Sequence, residues 1–147
     1  MAPEVDCVLL CDAASVREGL LHILGGGITR AWRPTLPSPL GIQVAALVAI
    51  DSEDFGQPHD ISIQIFDPDG NDFAGARGGF LPRDPGRLEP GEKALLPMVF
   101  DFRNYPVTKY GAHELKVSIV GSGSEISRKF WILHPDELAI PPVSGLT

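Results

Sequence analysis

Glycine and proline punctuate this chain throughout. They make up 30 of its 147 residues, and they fall in short clusters between apolar runs of roughly five to ten residues. Proline removes a backbone donor and glycine weakens a strand or helix interior. A chain cut this often has room for short strands joined by turns and little room for long helices. The stretch 60–70 shows the unit most plainly. Ile61, Ser62, Ile63, Gln64 and Ile65 alternate apolar and polar, the period of a strand with one wet face. Asp67-Pro68-Asp69-Gly70 follows, with proline presetting φ and glycine accepting a positive φ, as a tight turn requires. A return strand is expected from about Asn71 to Gly79.

The same reading along the chain predicts strands at 4–12, with Val5, Cys7, Leu9 and Cys11 on one face, and at 20–32, interrupted by Gly25, Gly26 and Gly27. The polar stretch 13–19 reads as a connection. Further strands are expected at 41–50, 93–103, 112–120 and 124–133, the last two joined by Gly-Ser-Gly-Ser, a strong hairpin signal. The segments 33–39 and 80–92, each with three prolines, read as loops. The expected fold is all-β: about eight strands in two packed antiparallel sheets, in the manner of an immunoglobulin or fibronectin sandwich. One domain over 1–133 precedes an extended, proline-containing tail at 134–147.

Three stretches carry a resemblance. "LLCDAASVREGLLHILGGGITRAW", "ISIQIFDPDG" and "YGAHELKVSIVGSG" resemble a family of bacterial proteins of unknown function. That family has a CD pair, a G-[KL]-L-x-I-x-G-G stretch, a strand ending in D-x-D-G and a final G-x-[YH]-x-[LF]-x-[VI] strand. The likeness spans residues 5–133. It implies an immunoglobulin-like sandwich and carries over no activity and no catalytic residue.

The formal net charge is −7. An acidic chain repels nucleic acid and anionic lipid, so neither is an expected partner. No apolar run reaches the ~20 residues of a membrane span. The opening "MAPEVDCVLLCD" lacks a basic region followed by an apolar one, so no signal peptide is expected. Cys7 and Cys11, four residues apart on one strand, would be about 13 Å apart, too far for a disulfide. Free thiols fit a reducing compartment, and the expected location is cytoplasmic. Arginine outnumbers lysine by eight to four, a composition that fits a GC-rich bacterial genome.

Candidate chemistry is sparse. A phosphate loop at Gly25–Gly27 would need a following helix and a Lys-Ser/Thr pair; Ile28-Thr29-Arg30-Ala31-Trp32 is strand-like, and no lysine precedes residue 93. A bend or close backbone approach is the expected role of the glycines. The 67–72 stretch resembles part of a calcium loop, but the glycine is misplaced and strands flank it. Asp51, Glu53, Asp54 and Asp60 form an acidic stretch expected to be solvated. His22, His59, His113 and His134 lack metal-site spacing, and His113 reads as a structural hydrogen-bonder. Cys11 and His22 together give at most two ligands. No cofactor or metal is expected, and no catalytic constellation assembles.

Surfaces offer more. If the 41–50 and 93–103 strands are neighbours, their outward faces merge into a patch of Ala45, Leu47, Ala49, Leu95, Pro97 and Val99, and exposed apolar patches mark interfaces. Cover from the N-terminal hairpin or the tail is the competing reading. Arg83 and Arg87 on the 80–92 loop are partner-loop candidates. Leu138, Ile140, Val143 and Leu146 on the tail are docking candidates. The expected function is a non-catalytic interaction or scaffold module that binds itself or another protein. A structural subunit of a larger, phage-derived assembly is an alternative, and so is a small-molecule or metal-dependent enzyme.

Overall fold

A computed structural model describes residues 2–137. Twelve strands are present and no α-helix occurs among the described residues: β1 (Glu4–Cys11), β2 (Ala13–Arg17), β3 (Leu20–Leu24), β4 (Arg30–Trp32), β5 (Ser38–Pro39), β6 (Gln43–Ile50), β7 (His59–Phe66), β8 (Asp72–Phe80), β9 (Ala94–Asp101), β10 (Pro106–Val107), β11 (Gly111–Ile119) and β12 (Glu125–Leu133). The all-β expectation holds, while the expected eight strands become twelve. They form a three-stranded sheet in the order β1-β6-β9, a five-stranded sheet in the order β4-β12-β11-β7-β8, and two-stranded ladders β2-β3 and β5-β10.

Period-two alternation builds one core from both larger sheets. The five-stranded sheet contributes Ile61, Ile63 and Ile65 of β7, Leu115, Val117 and Ile119 of β11, and Phe130 and Ile132 of β12. Val44, Ala46, Val48 and Ile50 of β6 come from the three-stranded sheet. All of these are at most 2 % exposed. Two of the expected turns close the ladders. In the 67–70 turn, Gly70 N–H donates to Asp67 O at 2.9 Å, with Gly70 at φ +81°. At the Gly-Ser-Gly-Ser hairpin, Ile119 N–H donates to Ser124 O at 3.1 Å.

Four departures from the sequence reading have local physical causes. The 13–19 connection is mostly strand: β2 and β3 form a hairpin whose turn is only Glu18 and Gly19, both at positive φ (54° and 74°), the geometry of the tightest hairpin turns. The expected 20–32 strand is two strands in different sheets. After β3 the chain leaves the hairpin at Gly25, where φ is +63°. The N–H groups of Gly27 and Ile28 both donate to Leu10 O, at 2.9 and 3.0 Å. The chain then enters β4, which lies parallel to β12, so the five-stranded sheet is not purely antiparallel. The four-residue face expected on β1 is split. A register shift between Val5 and Cys7 puts Val5 opposite Val48, and Cys7 opposite Leu47. Val5 thus joins Val8 and Leu10 in the core, while Cys7, Leu9 and Cys11 take the other face. Finally, Ser38-Pro39, in a segment expected to be a loop, pairs with Pro106-Val107, which lies between two expected strands, as a two-residue ladder.

Candidate interaction surface

The outer face of the three-stranded sheet holds the patch expected from sequence. β6 and β9 are neighbours, with Ala45 opposite Val99, Leu47 opposite Pro97 and Ala49 opposite Leu95. The six residues therefore lie together, but they are not uniformly open. Ala45 and Ala49 are 1 % and 6 % exposed, whereas Leu95 is 50 % exposed. Leu47, Pro97 and Val99 lie between these extremes. The β2-β3 hairpin leans on this face, against β6 and β9.

One buried amide fixes the hairpin there. Gln43, on the outward side of β6, accepts a hydrogen bond from Ala14 N–H at its Oε1, 2.8 Å away. Cys11 Sγ donates to the Gln43 backbone O at 3.4 Å. Cys11 is fully buried and Cys7 is partly exposed; both are free thiols. Burial, then the neighbouring Asp12 carboxylate, pushes the Cys11 thiol above its ordinary value, which keeps it an unreactive small hydrophobe.

The hairpin is apolar on one face and mixed on the other. Alternation puts Ala14, Val16, Leu21 and Ile23 on one side and Ala13, Ser15, Arg17, Leu20, His22 and Leu24 on the other. Val16 joins Pro97 and Val99 in lining a groove of about 490 Å³ that also takes in Phe80 of β8 and Met98. On the opposite side Leu20 and Leu24 stand 63 % and 72 % exposed.

The candidate chemistry resolves into structural partnerships. The 67–72 turn has its cation built in: Lys109 Nζ lies 3.0 Å from Asp67 Oδ2 and 2.6 Å from Asp69 Oδ2. Asp67 Oδ1 also accepts the N–H groups of Asp69 and Asn71, at 2.9 and 3.0 Å. Burial works to raise the Asp67 carboxyl, and these hydrogen bonds with the Lys109 charge outweigh it, holding it below the ordinary carboxylate range. A cleft beside the turn, about 400 Å³, is lined by Asp67, His113, Glu114, Lys116 and Lys129 among others. His113 is 1 % exposed, stacks on Phe130 at 5.3 Å, and has Nδ1 3.1 Å from Gly111 O. Burial lowers its pKa below the ordinary value, against smaller opposing effects of the Gly111 carbonyl and Asp67. Lys116 lies over the Phe66 ring at 5.5 Å and 3.6 Å from Glu114.

The acidic stretch is not simply solvated. Asp54 is fully buried. Its Oδ2 accepts Asp51 N–H at 3.1 Å, capping a short 3-10 turn, while Oδ1 has no hydrogen-bond partner among the described residues. Among the described residues no group of three or more His, Cys, Asp or Glu side chains is gathered for a metal. Cys11 is buried and His22 exposed. Arg83 and Arg87 are exposed on the long loop, whose neighbour Arg77 pairs with Asp60 at 3.0 Å. Leu138, Ile140, Val143 and Leu146 lie outside the described residues. No helix among the described residues is long and apolar enough to cross a membrane.

Sequence reasoning missed Arg33. Its guanidinium donates to three backbone oxygens: Trp32 O at 2.8 Å, Leu40 O at 2.6 Å and Pro39 O at 3.2 Å. It ties the proline-rich 33–41 segment shut. An arginine at the start of a proline-rich segment was the one available sign, since proline leaves carbonyls without a regular ladder to enter.

These features define an all-β protein whose core, among the described residues, is drawn from both larger sheets. The chain belongs to the DUF6941 family, a family of unknown function that matches residues 6–126. A comparison with curated proteins finds no match.

Proposed function

We propose that this protein is a non-catalytic, immunoglobulin-like β-sandwich that self-associates through its hairpin-bearing face. One observation carries the reading. A two-stranded hairpin is marginal by itself, and this one packs its apolar face on its own sheet. Leu20 and Leu24 remain bare on the other, on either side of His22, while Val16 (43 % exposed) and Leu95 (50 %) are partly open at the edge where the hairpin meets the sheet. A second copy applied face to face would cover the leucines of both hairpins, the self-complementary arrangement of a two-fold dimer. The expected patch centred on Ala45 and Leu47 is thereby moved outward, onto the hairpin that overlies it. The two free thiols support a reducing, cytoplasmic setting, and the resemblance to bacterial proteins supports a bacterial one.

Light scattering over a range of concentrations tests the reading, on the full chain and on Leu20→Lys/Leu24→Lys. The expected result is a dimer or larger species that the double variant loses while its thermal melt stays as cooperative as before. A wild-type monomer at every concentration, or a variant that associates as well as wild type, would overturn it.

A further inference from the structure

The two larger sheets have four edges, and three of them are blunted. On β1, Val5 N–H donates to Ser124 Oγ at 3.0 Å, and Leu10 O takes the N–H groups of Gly27 and Ile28. β9 carries Pro97 in its middle, which has no N–H and is tolerated where its nitrogen faces away from the ladder. β4 is only three residues long. Natural sheets protect their edges in these ways. β8 is the exception: nine residues without a proline, at the end of the order β4-β12-β11-β7-β8.

The register shows which groups of β8 are free. Asp60 O of β7 accepts Val120 N–H at 2.9 Å, on the β11 side. Alternation then turns the backbone groups of Ile61 and Ile63 toward β8, where they stand opposite Gly78 and Ala76. The N–H and C=O groups of Gly75, Arg77 and Gly79 therefore face away from β7, and Tyr105 Oη approaches Gly75 O from that side, at 3.5 Å. Ala76, Gly78 and Phe80 share the core face of β8. Across the groove of about 490 Å³ between β8 and β9, Leu96, Met98 and Phe100 are packed against the core and only partly buried.

We propose that β8 pairs antiparallel with β8 of a second copy of this chain, about a two-fold axis at Gly78, joining two five-stranded sheets into one. This contact is separate from the hairpin face and does not rest on it. Charge and volume select the register. A two-fold at Arg77 would set two guanidinium groups against each other, which like charges directly opposite disfavour. A two-fold at Gly78 sets Arg77 opposite the partner's Gly79, and Phe80 opposite the partner's Ala76. Gly79 neighbours Asp60 in the β7-β8 ladder and has no side chain to intervene, so each Arg77 reaches over the partner's Gly79 to the partner's Asp60. Arg77 also pairs with its own Asp60 at 3.0 Å, yet the two side chains are 63 % and 46 % exposed, which leaves both open to a second contact. Arg77 and Gly79 of the two copies exchange backbone hydrogen bonds on either side of the axis. Phe80 fills the shallow site over the partner's Ala76 and extends the cover of Met98 and Phe100.

The test is light scattering over a range of concentrations in the Leu20→Lys/Leu24→Lys background, where the hairpin contact is removed. The expected species there is a dimer. Adding Arg77→Asp sets carboxylates against each other across Gly79 and is expected to weaken that dimer by at least about tenfold. The charge swap Arg77→Asp/Asp60→Arg is expected to restore it. Gly79→Pro removes an outward-facing N–H while sparing the β7 ladder, and is expected to leave a monomer. A circular-dichroism melt confirms the fold of each variant. A background variant that is monomeric at every concentration would overturn the proposal. So would a dimer that neither Arg77→Asp nor Gly79→Pro weakens, or a swap that does not recover it. The two contacts fail separately: if the hairpin reading alone is wrong, the full chain and Leu20→Lys/Leu24→Lys form the same dimer, and Arg77→Asp still dissociates it.

Discussion

The backbone N–H of Ala14 reaches across to the side-chain Oε1 of Gln43 at 2.8 Å. This contact joins a two-stranded hairpin to the sheet it covers, and Gln43 is itself only 8 % exposed. A buried amide is costly to leave unpaired.

Replacing Gln43 by alanine removes the anchor and strands the Ala14 donor. The expected loss of stability is about 1–3 kcal/mol, measured by denaturant unfolding. Hydrogen exchange should show protection falling first in 13–24, ahead of the core strands β7 and β11. Uniform loss across the chain would mean that the hairpin and the core open together.

Arg33→Lys is expected to behave as a disruptive change. A lysine ammonium cannot reproduce the planar fork that reaches Trp32, Pro39 and Leu40 carbonyls together. The expected cost is about 2 kcal/mol. Limited proteolysis should find new cleavage within 33–41.

Lys109→Met leaves Asp67 and Asp69 facing each other without their cation. The Asp67 carboxyl is held low in the folded chain, so the stability it contributes is present above the ordinary carboxylate range and is lost as pH falls through its folded value. Asp101 is held low too, chiefly by hydrogen bonds from Arg103. The wild type should therefore lose stability below about pH 4. Its advantage over Lys109→Met should be largest at neutral pH and close in acid. Calcium or a chelator should leave the wild-type melting temperature unchanged, because the Lys109 ammonium already sits between the two carboxylates.

His113 carries the opposite charge type and the same direction of pH dependence. Its folded pKa is lowered by burial. Between its ordinary value near 6.5 and its folded value, the unfolded chain binds a proton that the folded chain does not. Stability is then complete above about pH 6.5 and declines as pH falls. Substitution His113→Phe keeps the ring against Phe130 and should flatten stability between pH 7 and 5. A slope equal to wild type's would assign the dependence to another group.

Much of the frame was legible in the residues. Ile61, Ile63 and Ile65 announced β7 by their spacing, and Asp67-Pro68-Asp69-Gly70 announced the turn by its chemistry. That 41–50 and 93–103 are neighbours was expected on the condition of an immunoglobulin-like strand order, and the register pairs Ala45 with Val99 and Leu47 with Pro97. β2 was missed because Ala13-Ala14-Ser15-Val16-Arg17 is weakly apolar, and its strand state is secured by Gln43 and β3 rather than by its own pattern. Asp54 read as a solvated acid because nothing local announces that the fold encloses it.

The sequence by itself determined the long strands with one buried face and the tight turns at 67–70 and 121–124, since alternation and proline-glycine chemistry act over a few residues. Only the tertiary structure decided which sheet each strand joins. Gly25 to Gly27 permit a change of direction, yet only pairing with β12 draws β4 to the far edge, away from the hairpin it follows in sequence. Tertiary contact likewise decided that Lys109 serves Asp67 and that Arg33 closes on Leu40. Such partners are distant along the chain or joined by irregular backbone, and their attraction depends on distances that exist only after the core has formed.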